Sequence, residues 1–460
     1  MSEQPEVTDS NADLGSRVYW LALLAGLLVG LLGAAFHGLI DRLTAWRTAF
    51  VAGDYDQSAA VQHVVSALGH FAGHLPPQLP PAIWARLLLV FAGVLIALAT
   101  ARLLVRRMAP ETAGSGVQEI EGYLLGLRPM RWRRILGVKF LGGGLALGAG
   151  FVLGREGPTI QMGGAAGLGI AQRTGCNRAE TRALVAAGAG AGIAAAFNAP
   201  IAGALFVIEE LRRASPYSFA SYHAVLIASV AATLVTEAIA GVGPELRLPI
   251  EMPALGEYPL YVALGILAGA AGAAFNGLVL ATLDLLGAWS RRAPLTLDLA
   301  LALGLTALLY AMPLASGGGE GIIPQLTAAS PELDTLLLLL LLRTVATLLS
   351  YGAGAPGGIF APILALATLL GLAFAQLAAM LLPGLPLTPA TVVAAAMAAL
   401  FTGSVRAPLV GVVLVAELTG GYPALLAVTL SAAMASLTAA LLGGRPLYEM
   451  LLERTLRSAR

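Results

Sequence analysis

Hydrophobic runs of two kinds follow each other along the chain. The long runs cover residues 18–40, 87–104, 218–240 and 257–287. They have lengths near the roughly 20 residues that an α-helix needs to cross a bilayer. The short runs contain Gly or Pro and cover residues 158–171, 183–196, 201–211, 359–371 and 408–418. The strands of a transmembrane β-barrel alternate polar and apolar residues, and these runs do not. The pattern therefore predicts an all-α polytopic membrane protein in which several helices are broken.

The irregular segments of the first half recur in the second half. The sequence "FNAPIAGALFVIEE" at 197–210 resembles "VRAPLVGVVLVAEL" at 405–418, and "GSG" at 114–116 pairs with "SGGGEGIIP" at 316–324. "GREGP", which begins at Gly154, pairs with "GGIFAP". Short, interrupted segments at matching positions of two halves are typical of the substrate site of a transporter. We therefore expect a binding site where these segments meet.

The matched segments also predict how the chain is divided. The expected parts are a cytoplasmic tail at 1–15, a first membrane half at 16–215, a connecting segment with one membrane helix at 216–254, a second membrane half at 255–442 and a C-terminal helix at 443–460. No cytoplasmic regulatory domain is expected after that helix. Hydropathy does not establish whether the two halves are inverted relative to each other.

Composition narrows the class of protein further. Charged residues make up 12% of the chain, about half the share in soluble domains, and mean hydropathy is +0.81. A net charge of +1 predicts no nucleic-acid partner, and the single cysteine, Cys176, excludes a disulfide framework. The five histidines form no convincing metal-ligand set, so we expect neither a metal nor a cofactor.

The distribution of charge predicts an orientation in the membrane. Arg106 and Arg107 follow the second long run, and Arg133 and Arg134 come soon after, whereas residues 48–85 contain no Lys or Arg. Loops rich in Lys and Arg remain in the cytoplasm. We therefore place these arginines on the cytoplasmic side and residues 48–85 outside.

The segment "GREGP" has the chemistry of an anion site. Pro158 suits the first turn of a helix, where its missing N–H costs nothing, so the residues before it are expected to be non-helical, with free backbone amides. Gly154 and Gly157 let the backbone approach a ligand. A helix N-terminus carries partial positive charge and unpaired N–H donors. With the helix starts after "GSG" and at "GGIFAP", three N-termini can converge on one anion. The alternative is that all three segments are ordinary turns between helices.

Glu156 is a carboxylate in the middle of this segment. It can occupy the anion site and block it, and it can leave when protonated. We therefore predict a gate that responds to pH, because acids inside membranes are costly and usually functional. The alternative is a solvated carboxylate in a surface loop.

Five segments together resemble the CLC chloride channel and transporter family, and most closely its bacterial chloride–proton antiporters. They are "GSGVQEIEG", "GREGPTIQMGG", "AAAFNAPIAGALFVIEE", "GAPGGIFAPILALATLLG" and "GGRPLYEMLLERTL", and the likeness runs from Val18 to Thr455. The resemblance implies two inverted repeats, a homodimer with one pore per subunit in the bilayer of the cell inner membrane, and chloride and protons as substrates. It implies a transporter and not an enzyme.

The resemblance also implies roles for individual residues. The chloride-binding set is Ser115, Gly116, Ile359, Phe360 and Tyr448, with hydroxyls from Ser115 and Tyr448 and backbone amides from Ile359 and Phe360. The backbone along the anion path is that of Gly154, Arg155 and Gly157. Glu156 is the external gate, and Glu210 is the internal proton acceptor. One departure from the family pattern is Gln118, where the usual residue is proline.

The sequence leaves several alternatives open. Glu210 favours exchange over a passive chloride channel of the same fold, although it can also be a solvated carboxylate at a helix end beside Arg212 and Arg213. Lys139 can be buried and paired with an acid such as Glu121 or Glu210, or it can extend its ammonium group to the membrane interface. Outside this fold the alternatives are a structural scaffold and an intramembrane hydrolase. The hydrolase would need a nucleophile such as Ser404 beside His37 or His223, and the sequence has no Gly-x-Ser-x-Gly motif.

Overall fold

The computed structural model describes residues 15–52, 81–211, 218–384 and 387–458. Residues 1–14 of the predicted tail, residues 53–80 of the predicted external region, and Arg212 and Arg213 lie outside these ranges.

The described residues form seventeen α-helices. The first eight are α1 Arg17–Ala52, α2 Pro81–Met108, α3 Val117–Leu124, α4 Trp132–Gly148, α5 Glu156–Thr174, α6 Arg178–Phe197, α7 Pro200–Glu209 and α8 Phe219–Ala240. The next eight are α9 Tyr258–Arg292, α10 Pro294–Ala311, α11 Ile322–Ala329, α12 Leu333–Gly352, α13 Phe360–Leu381, α14 Pro389–Val405, α15 Pro408–Thr419 and α16 Leu425–Leu441. The last is α17 Leu447–Ser458.

Helices α1 to α8 correspond in order to helices α9 to α16. The long first members, α1 and α9, have 36 and 35 residues, and the short third members, α3 and α11, have 8 residues each. Helix α1 packs on α8 as α9 packs on α16, and α5 packs on α6 as α13 packs on α14. This correspondence confirms the predicted all-α fold built of two repeats. The numbered boundaries between the predicted parts remain a prediction.

The contact between α7 and α15 shows that these two helices run in opposite directions. Glu209, the last residue of α7, accepts hydrogen bonds from the first free amides of α15, those of Leu409 (3.3 Å) and Val410 (2.8 Å). Glu417, near the end of α15, accepts in the same way from the first free amides of α7, at 3.0 and 2.8 Å. Each helix therefore caps the N-terminus of the other, as expected of two inverted repeats.

Eight helices in the described part of the chain are long and apolar enough to cross a membrane. The outer ones expose leucines such as Leu31, Leu341 and Leu441, which suits contact with lipid. The protein is therefore a multi-pass membrane protein, as the hydrophobic runs predicted.

Helices α5, α6, α13 and α14 form the buried centre. The backbones of α5 and α6 touch at Gly163 and Gly188, where a Cβ atom on either glycine would collide with the carbonyl oxygen of the other. Such close contact between small residues is how helices pack inside membranes. The first residues of α5 and of α13 are buried as well, so both helices start in the interior of the protein.

Candidate anion site

Three loops are joined by backbone hydrogen bonds at the centre of the protein. Gly114 N donates to Ala355 O (3.1 Å), and Gly357 N donates to Gly114 O (3.0 Å). Gly154 and Gly358 exchange both of their hydrogen bonds, at 2.9 and 2.6 Å. These loops lead into α3, α5 and α13, so the three predicted helix starts do converge on one place.

Gly157 lies where the three loops touch. A Cβ atom at this position would lie 2.7 Å from the Gly358 Cα atom and 2.7 Å from the Ser115 hydroxyl oxygen. Any side chain here would push the loops apart. The glycine therefore allows the close backbone approach that the sequence predicted for "GREGP".

The carboxylate of Glu156 is fully buried and rests on the start of α13. Its Oε1 atom accepts hydrogen bonds from the amides of Phe360 (2.7 Å) and Ala361 (3.3 Å), and its Oε2 atom has no hydrogen-bond partner among the described residues. The carboxylate thus occupies an anion position on a helix N-terminus, and it is not a solvated loop group. The expectation of a non-helical stretch up to Pro158 was wrong, because α5 begins at Glu156 and so places the carboxylate in its first turn.

Two buried hydroxyl groups complete the surroundings of this position. Ser115 and Tyr448 are 0% exposed, and their hydroxyls lie close together. Neither hydroxyl makes a hydrogen bond of normal geometry in the described part of the protein. The Tyr448 ring packs against the ring of Phe360, with 5.7 Å between ring centroids, and Ile359 precedes Phe360 at the helix start. The structure thus brings the predicted chloride ligands together.

The Ser115 loop is held from behind by Lys139. This side chain is fully buried, and its Nζ atom donates to the carbonyl oxygens of Gly114 (2.6 Å) and Ser115 (2.9 Å). Lys139 is therefore buried, as one sequence-based alternative expected, but the expected carboxylate partner was wrong, because its hydrogen-bond partners are backbone carbonyls. The alternative that the side chain reaches the interface was wrong as well. These two hydrogen bonds hold the backbone of the Ser115 loop in place.

The substitution of Gln118 for the usual proline leaves the start of α3 in place. The helix begins at Val117, and Gly116 caps it with φ +88°, a left-handed conformation that favours glycine. The glycine, and not a proline, fixes the chain direction here.

Glu210 lies at the C-terminal end of α7 and is half-buried. Tyr448 is within electrostatic reach of both Glu210 and Glu156. The tyrosine therefore stands near both predicted proton-carrying groups. The roles of the two glutamates remain predictions.

Arginines mark one face of the protein, which we call the basic face. Arg134 Nη1 donates to the carbonyl of Met108 (3.4 Å) at the end of α2, and Arg173 stacks over the Trp132 ring. The ends of α2 and α5 and the start of α4 therefore share this face. The arginines predicted to be cytoplasmic thus lie together, and Glu156, at the other end of the 19-residue helix α5, is far from them.

A cluster of charged groups around Arg155 was not foreseen. Its Nη2 atom donates to Glu245 (2.7 Å) and lies 3.3 Å from Glu320, and its Nη1 atom contacts His37. His37 in turn lies 3.1 Å from Asp41. These partners are distant in sequence, although Glu320 is the acid within the quoted segment "SGGGEGIIP". One signal in the sequence could have identified Glu320. It is an acid within a glycine-rich break, at the position matched to "GSG".

The pair required by the hydrolase alternative is not formed. Ser404 is buried and donates to Asn276 Oδ1 (2.6 Å). His37 contacts Arg155, and His223 bonds to the carbonyl of Phe219 within its own helix. Neither histidine is a base for Ser404.

The sequence matches the family described as "voltage gated chloride channel" over residues 92–440. The chain is 42% identical over 447 residues to a protein named "H(+)/Cl(-) exchange transporter ClcA" from Vibrio cholerae serotype O1 strain M66-2. The matched residues cover 96% of this chain and 90% of that protein. It is 41% identical over 454 residues to the protein of the same name from Salmonella typhi, with 95% and 89% covered.

Solved structures show the same architecture. A crystal structure described as a slow cyanobacterial Cl⁻/H⁺ antiporter superposes with a TM-score of 0.84 at 33% sequence identity and covers 97% of this chain and 99% of that one. A fluoride/proton antiporter described as CLC-type superposes with a TM-score of 0.67 at 19% identity, covering 92% and 95%. The likeness to the fluoride/proton antiporter concerns the fold alone.

Proposed function

Because the chain belongs to the voltage gated chloride channel family, we propose that it is a secondary active transporter that exchanges chloride for protons across the membrane. The main support is that the buried Glu156 carboxylate accepts hydrogen bonds from the amides of Phe360 and Ala361. An acid that occupies an anion position must change its charge before it gives that position up readily, and this links anion movement to proton movement. The exchange activity named for the relatives from Vibrio cholerae and Salmonella typhi supports the same function.

In the proposed mechanism the anion and the carboxylate compete for one helix N-terminus. The amides at the start of α13 attract either negative group. When Glu156 is protonated, its attraction to these amides falls, and chloride replaces it. Chloride then moves to a central position near Gly116, where the Ser115 and Tyr448 hydroxyls and the amides of Ile359 and Phe360 hold it. Lys139 holds the Ser115 loop beside that position through two hydrogen bonds.

Protons need a separate route on the basic face, because the central chloride position offers no inner proton acceptor. We assign this role to Glu210, which lies within electrostatic reach of Tyr448. In this scheme Glu210 takes a proton from the cytoplasmic solution and passes it by way of water to Glu156. A carboxylate near the interface titrates at lower cost than one at mid-membrane.

Simultaneous recording of chloride and pH in proteoliposomes tests the proposed function. An outward chloride gradient should move protons in the opposite direction, against their own gradient. Chloride flux without proton movement would favour the alternative, a passive chloride channel. A purified protein that moves neither ion would be the structural scaffold.

We place the transporter in the cell inner membrane as a homodimer with one pore per subunit. The basic face is then cytoplasmic, by the distribution of positive charge, and Arg155 and Glu156 lie toward the exterior. Large apolar side chains exposed on α7, α8, α15 and α16 suit contact with lipid or with a second subunit; they include Ile201, Leu234, Leu409 and Leu426.

Tyr448→Ala should weaken chloride binding about tenfold and loosen proton coupling. A hydrogen bond to a charged group contributes about 1.5–3 kcal/mol, and about 1.4 kcal/mol is a factor of ten in affinity. Calorimetric titration with chloride measures the first effect, and the ratio of ion fluxes measures the second. Tyr422→Ala, at an exposed tyrosine, is the control. Unchanged affinity and coupling in Tyr448→Ala would remove Tyr448 from the site.

A further inference from the structure

A cavity of about 570 Å³ lies next to Glu156, at the end of α5 remote from the basic face. Its walls include Asp41, Gly154, Arg155 and Glu320. The Glu156 carboxylate lies directly behind Gly154, where a Cβ atom would collide with both of its oxygens. A single glycine therefore separates the gate from this cavity, which we call the outer cavity.

Glu320 is placed to carry a proton between the outer cavity and the gate. It lies in the loop before α11, and its side chain is 21% exposed. Its Oε2 atom lies 3.3 Å from Arg155 Nη2, whereas its Oε1 atom is buried and has no hydrogen-bond partner among the described residues. Its charge also acts on Glu156. Solvent can thus reach the side chain, and one carboxylate oxygen is free to take a proton.

The groups facing Glu320 contain more acid than base. Asp41 and Glu245 are the other carboxylates that act electrostatically on Glu320, and Arg155 and His37 are the basic groups. Glu245 lies 2.7 Å from Arg155, and Asp41 lies 3.1 Å from His37. One guanidinium cannot neutralise three carboxylates. Burial raises the pKa of Glu320, and Arg155 acts in the opposite direction. The cluster therefore favours holding a proton.

Two more arginines lie around the outer cavity but are engaged elsewhere. Arg47 lines the cavity and donates to the carbonyl of Gly148 (3.1 Å). Arg343, under the same glycine-rich loop, donates to three backbone carbonyls at 2.8–3.1 Å. In the described structure neither forms an ion pair with Glu320, so Arg155 is its direct counter-charge.

We propose that Glu320 is the outer proton acceptor of this transporter, exchanging protons between the external solution and Glu156. This inference rests on the exchange function proposed above. A hydronium ion in the outer cavity gives a proton to the Glu320 carboxylate, which becomes neutral. That proton then moves through water to Oε2 of Glu156, and Glu320 returns to its charged form.

The test compares Glu320→Gln with wild type in vesicles of uniform orientation, with chloride and proton fluxes recorded as the outer pH is varied. Proton flux should fall roughly 100-fold, at the low end of what a positioned proton acceptor contributes. The midpoint of the dependence on outer pH should move to more acidic values, because loss of a negative charge makes the neighbouring Glu156 harder to protonate. Chloride affinity by calorimetry should stay as in wild type, which a merely distorted site would not allow.

Glu245→Gln is the matched control. It removes a charge that contacts the same Arg155 atom, at 2.7 Å, but Glu245 does not line the outer cavity. Its proton flux should stay within about twofold of wild type, well below the effect of a positioned proton acceptor. Equal losses in the two variants would overturn the proposal, as would an unchanged flux and pH profile in Glu320→Gln.

A second variant keeps the proposal testable if Glu320→Gln does not fold. Glu320→His provides a different proton acceptor, so the outer-pH midpoint should move toward the ordinary titration range of imidazole, about 6.5. An unmoved midpoint would overturn the proposal. Absence of proton coupling in the wild-type protein is a separate result, which would count against the proposed function itself.

Discussion

Replacing Glu156 with glutamine is expected to abolish proton transport and to leave a chloride flux that no longer depends on pH. Glutamine has the size and shape of the protonated acid but cannot carry a proton through the cycle. Proton flux should fall at least about 100-fold, since a positioned proton-transfer group contributes that much or more. Flux measurements between acidic and alkaline pH test both parts of the expectation.

The contacts of Glu156 add a second expectation for the same variant. In the structure the carboxylate holds the amides of Phe360 and Ala361. A neutral side chain competes less for these donors, so chloride should bind to Glu156→Gln more tightly than to wild type. Calorimetric titration measures this affinity. Proton pumping that persists in the variant would show that another group is the gate.

The convergence of helix starts could be predicted because its signals are local. Glycine and proline mark helix boundaries wherever they occur, and "GSG", "GREGP" and "GGIFAP" each carry one. The position of Glu156 within the first turn was missed, because the interpretation placed the helix start at the proline. Tertiary contacts of Gly157 with Gly358 and Ser115 fix the backbone there, and no local rule contains them.

Contacts between distant segments explain the other gaps. Arg155 meets Glu245 and Glu320, which lie 90 or more positions further along the chain. A sequence shows that such charges exist but not which of them share a cavity. Lys139 was assigned a carboxylate or the interface because those are the usual partners of a lysine. Its real partners are carbonyl oxygens, which a loop exposes only once it is folded.

The inverted arrangement of the two repeats links two residues that have the same position in the matched segments at 197–210 and 405–418. They are Glu209 and Glu417. Once α7 and α15 run in opposite directions, this equivalence becomes reciprocal capping. Hydropathy does not give the direction of one repeat relative to the other, so the capping role could not be assigned from sequence.

Glu210→Gln should stop proton movement while chloride conduction continues. Glu209→Gln should leave both the proton flux and the chloride flux nearly unchanged. Glu210 lies within electrostatic reach of Tyr448, whereas the Glu209 carboxylate is bound to the amides of α15. Adjacent helical residues also face different directions. Proton flux should therefore fall at least about 100-fold in Glu210→Gln. It should stay within about threefold of wild type in Glu209→Gln, since that change removes no proton-transfer group.

The repeat supplies a control for this comparison, because Glu417 caps α7 just as Glu209 caps α15. Loss of a helix cap costs about 1 kcal/mol, so Glu209→Gln and Glu417→Gln should lower the thermal unfolding temperature by similar amounts. Glu210→Gln leaves the caps of α7 and α15 in place. The three variants thus separate a loss of stability from a loss of proton transfer within one set of measurements. If Glu210→Gln still pumps protons at the wild-type rate, the inner acceptor is another residue, and a loss of pumping in Glu209→Gln instead would identify the carboxylate at the α15 N-terminus as that residue.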